Sequence, residues 1–219
     1  MESTETHPDR LIDFWEWLVE NRMQVILAII IAIGAVLIVY TQRVNAKLAE
    51  EESGEDVLAA MDLRFSTDEV NPFVTASERF GNVAVNHPGT AGASNAKFLQ
   101  ASALFDEGKF KEADAAFAGY VSENPRSPLL PAAALGQAAC KASLVDSGAV
   151  AAYENVRNQY PGTSEAVQAT LALGRMALEA KDAPKARELL TSVSTNRVSL
   201  FWGTIADDLL KQLPPVEDK

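Results

Sequence analysis

The chain has 219 residues and a net charge of −11, enough length for one ordinary domain and an appendage. Six acids against Arg10 and Arg22 precede residue 23, and twenty-four acids against seventeen bases follow residue 42, so no basic patch points to a nucleic-acid partner. Cys140 is the single cysteine, which excludes an internal disulfide and a zinc site of clustered cysteines.

In chain order, a short tail (1–22) comes first. From residue 23 to residue 42, MQVILAIIIAIGAVLIVYTQ runs twenty residues without a charge. At 1.5 Å per residue this covers roughly 30 Å of hydrocarbon, which predicts a membrane-spanning helix. Trp15 and Trp17 before it and Tyr40 at its far end suit the headgroup layer. A cleaved signal peptide would have a positive N-region, a shorter apolar run and a small-residue cleavage site, and none of these is written here. Orientation is not legible from charge: Arg10 and Arg22 on one side balance Arg43 and Lys47 on the other. A short tail before the span and a long segment after it form a signal-anchor layout, which favours the tail inside.

Residues 43–56 read as a juxtamembrane helical linker, with a helix expected over residues 46–65. Its acidic run, Glu50 to Asp56, lacks the turn glycine and ligand spacing of a calcium loop and reads as a solvated helix face. The segment STDEVNPF (66–73) makes a long connection inside the first expected hairpin, residues 57–86.

Beyond it the sequence repeats. The turns NHPGT, ENPRS and QYPGT place Pro88, Pro125 and Pro161 at spacings of 37 and 36 residues. Twelve, eight and five residues before these prolines stand Ala76, Phe80 and Val83; Ala113, Phe117 and Tyr120; and Ala149, Tyr153 and Val156. Steps of four and three put each triplet on one helix face, the pattern of a face packed on a neighbour. Ala186, Leu190 and Val193 form a fourth copy without its proline. An upstream partner helix is expected for each, with Gly108 ending the first of them and the small residues Ala101, Gly136 and Gly174 allowing close helix approach. The PGT turn is then punctuation: Pro stops one helix, Gly reverses the chain, and Thr caps the next. Residues 199–213 read as a terminal capping helix and 214–219 as a tail.

The stretch ASNAKFLQASALFDEGKFKEADAAFAGYVSENP resembles the tetratricopeptide repeats through Ala101, Gly108, Phe110, Ala113, Phe117, Tyr120 and Pro125. It departs from them at Lys97 and Gln100, where the family prefers Trp and Leu, and the next copy lacks the turn glycine. The resemblance implies an all-α fold, a tetratricopeptide-like solenoid of helical hairpins over 57–213 behind one transmembrane helix. It also implies a protein-binding groove lined by the first helix of each hairpin. Carried onto matching positions, the groove residues are Asn95, Phe98 and Ser102, then Gln137 and Lys141, then Gln168, Leu171 and Arg175. Amides with a few apolar side chains suit an extended polypeptide.

Enzymatic chemistry is not written in the sequence. His7 and His87 lie on opposite sides of the span, and no phosphate loop, dinucleotide fingerprint, zinc-protease or nucleophile-elbow motif occurs. Ser94 and Lys97 fit a Ser-x-x-Lys pattern without its companion motifs, and Ser94 reads as part of a helix start. Cys140 reads as a buried, inert thiol. The chain is thus expected not to be an enzyme and to need no cofactor.

The whole layout, a charged tail ending in WLVENR, one span, a helix and three to four degenerate repeats, resembles the bacterial inner-membrane proteins that are ancillary subunits of the SecYEG translocon. That resemblance implies periplasmic repeats and exported chains as partners. A second similarity, to envelope scaffolds of the Tol-Pal accessory and outer-membrane assembly kind, rests on the YPGT and NPRSP turns, although those proteins usually lack such an anchor.

Overall fold

The computed structural model describes residues 9–65, 75–196, 198 and 200–214. His7, the connection 66–73 and the tail from residue 215 lie outside the described residues. Among those described there are ten helices and no strand: α1 (Asp9–Glu20), α2 (Arg22–Phe65), α3 (Ala76–Asn86), α4 (Ala91–Asp106), α5 (Phe110–Glu123), α6 (Leu130–Ser143), α7 (Ala149–Gln159), α8 (Ser164–Glu179), α9 (Ala183–Ser194) and α10 (Leu200–Leu210). Contacts divide the chain into two units, Met1–Glu51 and Glu52–Lys219, and the division falls inside α2.

The first unit holds α1 and the apolar part of α2. Over Arg22–Met61 this helix is long and apolar enough to cross a membrane, and none of its most apolar window is covered by protein. The helix expected over residues 46–65 is the continuation of this same element.

In the second unit each helix from α3 onward packs on its chain neighbour, and α4 meets α6, α6 meets α8 and α8 meets α10. The core is a succession of four clusters. The first joins Val57 and Ala60 of α2 to Phe80 and Val83 of α3, and the last joins Leu171, Leu190 and Ala206 of α8, α9 and α10. Of the twelve residues in the four triplets, eleven are buried and Ala76 is partly so. Steps of four and three on a helix therefore became one packed face in every copy.

The turns repeat at atomic detail. Helices α3, α5 and α7 end in His87, Asn124 and Tyr160 at φ −120, −122 and −122° with ψ 55, 57 and 53°. Gly89 and Gly162 follow at φ +84 and +82°, the left-handed region that favours glycine. The hydroxyls of Thr90 and Thr163 then accept from Ala93 N and Ala166 N, capping α4 and α8. In the middle copy the Ser127 hydroxyl accepts from Leu129 N at 3.1 Å and meets the Tyr120 hydroxyl at 2.7 Å.

The opposite ends of α4, α6 and α8 share a second device. Twenty residues after Pro88, Pro125 and Pro161 stand Gly108, Val145 and Lys181, all with positive φ (76, 54 and 59°). In each case the next amide reaches back five residues: Lys109 N to Leu104 O, Asp146 N to Lys141 O, Lys181's neighbour Asp182 N to Ala177 O, all at 2.9 Å. This is a Schellman helix end written three times, with glycine in only one copy.

Counting from these ends corrects the assignment of small contact residues. Seven positions before the left-handed residue lie Ala101, Ala138 and Gly174, so Ala138 and not Gly136 is the counterpart of Ala101. Gly136 serves a different contact. A methyl group there would come within 2.5 Å of the Phe117 ring of α5, in the preceding pair, whereas one at Gly174 would meet Leu190 of α9 at 2.7 Å, within its own pair.

Candidate functional site

The first helix of each pair contributes to one face. Thr90 and Thr163 start α4 and α8, Pro131 sits in the first turn of α6, and the three Schellman ends stop them in register. Two open, adjoining depressions lie along this face. One, of about 290 Å³, is bordered by Phe98, Ser102, Phe105 and Asp106 of α4 and by Ala132, Leu135, Gly136 and Ala139 of α6, with Phe117 behind them. The other, of about 560 Å³, lies between α6 and α8 and is bordered also by Phe105 of α4 and Trp202 of α10. Phe105, Leu135 and Ala139 belong to both, so the two form one groove.

Its walls are aromatic and its floor is small. Phe98 packs edge-on against Phe117 and Tyr120, with ring centres 5.9 and 5.6 Å apart, and Phe105 does so against Phe110 at 5.1 Å. These rings are fixed by their neighbours, whereas Ala139, Ala142 and Ala172 leave room above the floor. The polar groups are concentrated in the larger depression. Gln168, Arg175 and Glu179 line the larger depression with Tyr153 at its base. Burial holds the Tyr153 phenol above its ordinary range, with the Arg175 cation acting in the opposite direction. Arg175 is exposed and makes no ion pair among the described residues.

The residues expected at the groove separate by helix. Phe98 and Ser102 border the smaller depression, and Gln168, Leu171 and Arg175 the larger. Asn95, in the first turns of α4, is exposed and borders neither. Gln137 and Lys141 lie on another face of α6, where the Lys141 ammonium approaches Asp114 of α5 at 3.4 Å. The α6 residues that do line the groove, Ala132, Leu135 and Ala139, stand seven, ten and fourteen residues after Pro125. Asn95, Phe98 and Ser102 stand at the same distances after Pro88, and Gln168, Leu171 and Arg175 after Pro161. Forward counting from the proline was the signal that would have found them.

Cys140 is buried against α5, and burial, with the Asp114 carboxylate adding to it, pushes its thiol up to about 11. His87 is bonded at 2.7 Å to Asp56, which clips the turn before α4 to α2. The Ser94 hydroxyl donates to Asn124 at 2.7 Å, while Lys97 pairs with Glu123, so neither is poised toward the other. Neither a protein-family model nor a curated protein matches this chain.

Proposed function

We propose that the chain is a membrane-anchored protein-binding module, in which tetratricopeptide-like hairpins hold an extended polypeptide along the face of α4, α6 and α8. The observation that carries this reading is the coincidence of sequence period and groove: of the nine equivalent positions after three prolines, all but Asn95 border two adjoining depressions. Stacked repeats generate extended concave surfaces of this kind. Fixed aromatic walls offer apolar area, while the alanine floor admits a backbone with side chains of many shapes.

The exposed apolar stretch of α2 supports a permanent membrane anchor; its placement in the bacterial inner membrane, with the repeats on the periplasmic side, follows only from the resemblance in arrangement to ancillary SecYEG subunits. The similarity in arrangement to ancillary SecYEG subunits supports exported chains as the occupants and the translocon as the neighbour. Occupancy would be transient, because few charges and few anchoring pockets set little against the entropy of ordering an extended chain.

Photo-crosslinking amino acids in cells test this reading. Probes at Phe98, Leu135 and Arg175 should trap exported proteins and translocon subunits, while probes at Glu112, exposed at the start of α5, and at Gln137 should not. Trapping of envelope assembly factors alone would replace the translocon with a scaffold role. Equal trapping at all five positions would remove the groove.

A further inference from the structure

Helix α1 is built unlike the span that follows it. Phe14, Trp15, Trp17 and Val19 are all more than half exposed, and at 100° per residue they and Leu18 sweep the side of the helix opposite Glu16 and Glu20. A twelve-residue helix with so broad an apolar arc is not stable in water on that face.

The helical path breaks between α1 and α2. At the break, Asn21 N donates to Trp17 O at 2.9 Å and Val25 N to Asn21 O at 3.0 Å, while the Asn21 side-chain amide also donates to Trp17 O. A cavity of about 540 Å³ is bordered by Phe14, Trp17 and Leu18 of α1 and by one face of α2 from Gln24 to Ala32. The depression is open to its surroundings, and the side of the helical path that Phe14, Trp17 and Leu18 share with Val25, Ala28, Ile29 and Ala32 is apolar apart from Gln24.

We infer that α1 is an interfacial helix, lying in the headgroup–acyl boundary of the bilayer with Phe14, Trp17 and Leu18 toward the hydrocarbon and Glu16 and Glu20 toward water. The inference rests on the anchor reading of α2, and continuity with that span names the occupant. If α2 crosses the bilayer from about residue 23, this shared apolar side faces lipid, and acyl chains fill the depression. The sequence of α1 carries four acids and one arginine, so its hold on the surface comes from apolar and aromatic burial and not from attraction to anionic lipid.

The test uses the full chain with Trp202→Phe, which leaves Trp15 and Trp17 as its tryptophans. It is reconstituted into phosphatidylcholine vesicles whose acyl chains carry bromine either near the headgroup or near the chain end. Shallow bromines should quench the emission roughly twice as strongly as deep ones, as a burial depth of about 5–10 Å requires. Phe14→Glu should reduce the shallow quenching and Glu16→Gln should leave it intact. Quenching by neither lipid, in protein that floats with the vesicles and resists alkaline carbonate, would overturn the inference and leave the anchor standing. Stronger quenching by deep bromines would mean that α1 continues into the span, and would overturn it as well. Failure to float with the vesicles would remove the anchor reading and the inference together.

Discussion

The apolar stretch of α2 and the hairpin helices are made from the same aliphatic residues, with opposite fates. Ile29 and Ile31 are 53 and 63 % exposed, while Leu190 of α9 is wholly buried. The difference lies in how the side chains are distributed around the helix. In α2 they surround it, so no single protein neighbour can cover them. In α9, Ala186, Leu190 and Val193 share one face and Lys185 and Glu188 lie exposed on another. Angular distribution, more than total hydropathy, selects lipid or protein as the solvent of a helix.

The largest effect should come from Phe117, which fills the space that Gly136 leaves open. Phe117→Ala should lower the unfolding free energy of the detergent-solubilised chain by about 3–5 kcal/mol. Ile31→Ala, a truncation on the exposed stretch, should change it by no more than about 0.5 kcal/mol. Urea unfolding measures both. Similar losses at the two positions would mean that the apolar part of α2 is packed on protein, which would break the comparison.

Within the second unit, Ala113 is fully buried in the cluster that joins α4, α5 and α6. Ala113→Leu would overpack that contact at a cost of about 1–3 kcal/mol. Glu112→Gln, one residue away on the exposed side, should stay within about 0.5 kcal/mol of the parent chain. An unchanged thermal midpoint for the leucine variant would show that the four-and-three spacing does not mark the packed face.

Periodic features were legible in the sequence because packing demands them: the helices, the apolar stretch and the four triplets all follow from spacing. The PGT turn was legible because glycine at positive φ and a threonine cap are each tied to a residue type. The α6 face was not. Its far end carries Val145, which sequence rules do not place at positive φ, so only the count forward from Pro125 fixed the register, and Gln137 and Lys141 stood in for Leu135 and Ala139. The alanines of the groove floor give no signal of their own, since an alanine in a helix is unremarkable until its neighbours are known. The break at Asn21 was hidden for a similar reason: asparagine is tolerated within helices and gives no signal of its own.

Val145 offers the smallest effect and the sharpest test of how α6 ends. It sits at φ 54° and is 91 % exposed, so its side chain contributes almost nothing to packing. Its backbone nevertheless completes the end of α6, through Val145 N to Ala142 O at 3.0 Å and Asp146 N to Lys141 O at 2.9 Å. A left-handed conformation costs a residue with a Cβ roughly 1–2 kcal/mol, and β-branching adds to the crowding. Glycine removes that cost but loses more backbone freedom on folding, so Val145→Gly should stabilise the chain by about 1 kcal/mol net. Lys181→Gly, at the equivalent end of α8, should gain less because its Cβ is unbranched. Gly108→Val reverses the exchange at α4 and should lose stability by a similar amount. If Val145→Gly instead destabilises, the left-handed end is not what stops α6. The correspondence of the three helix ends, and with it the assignment of Ala138 as the counterpart of Ala101 and Gly174, would then lose its anchor.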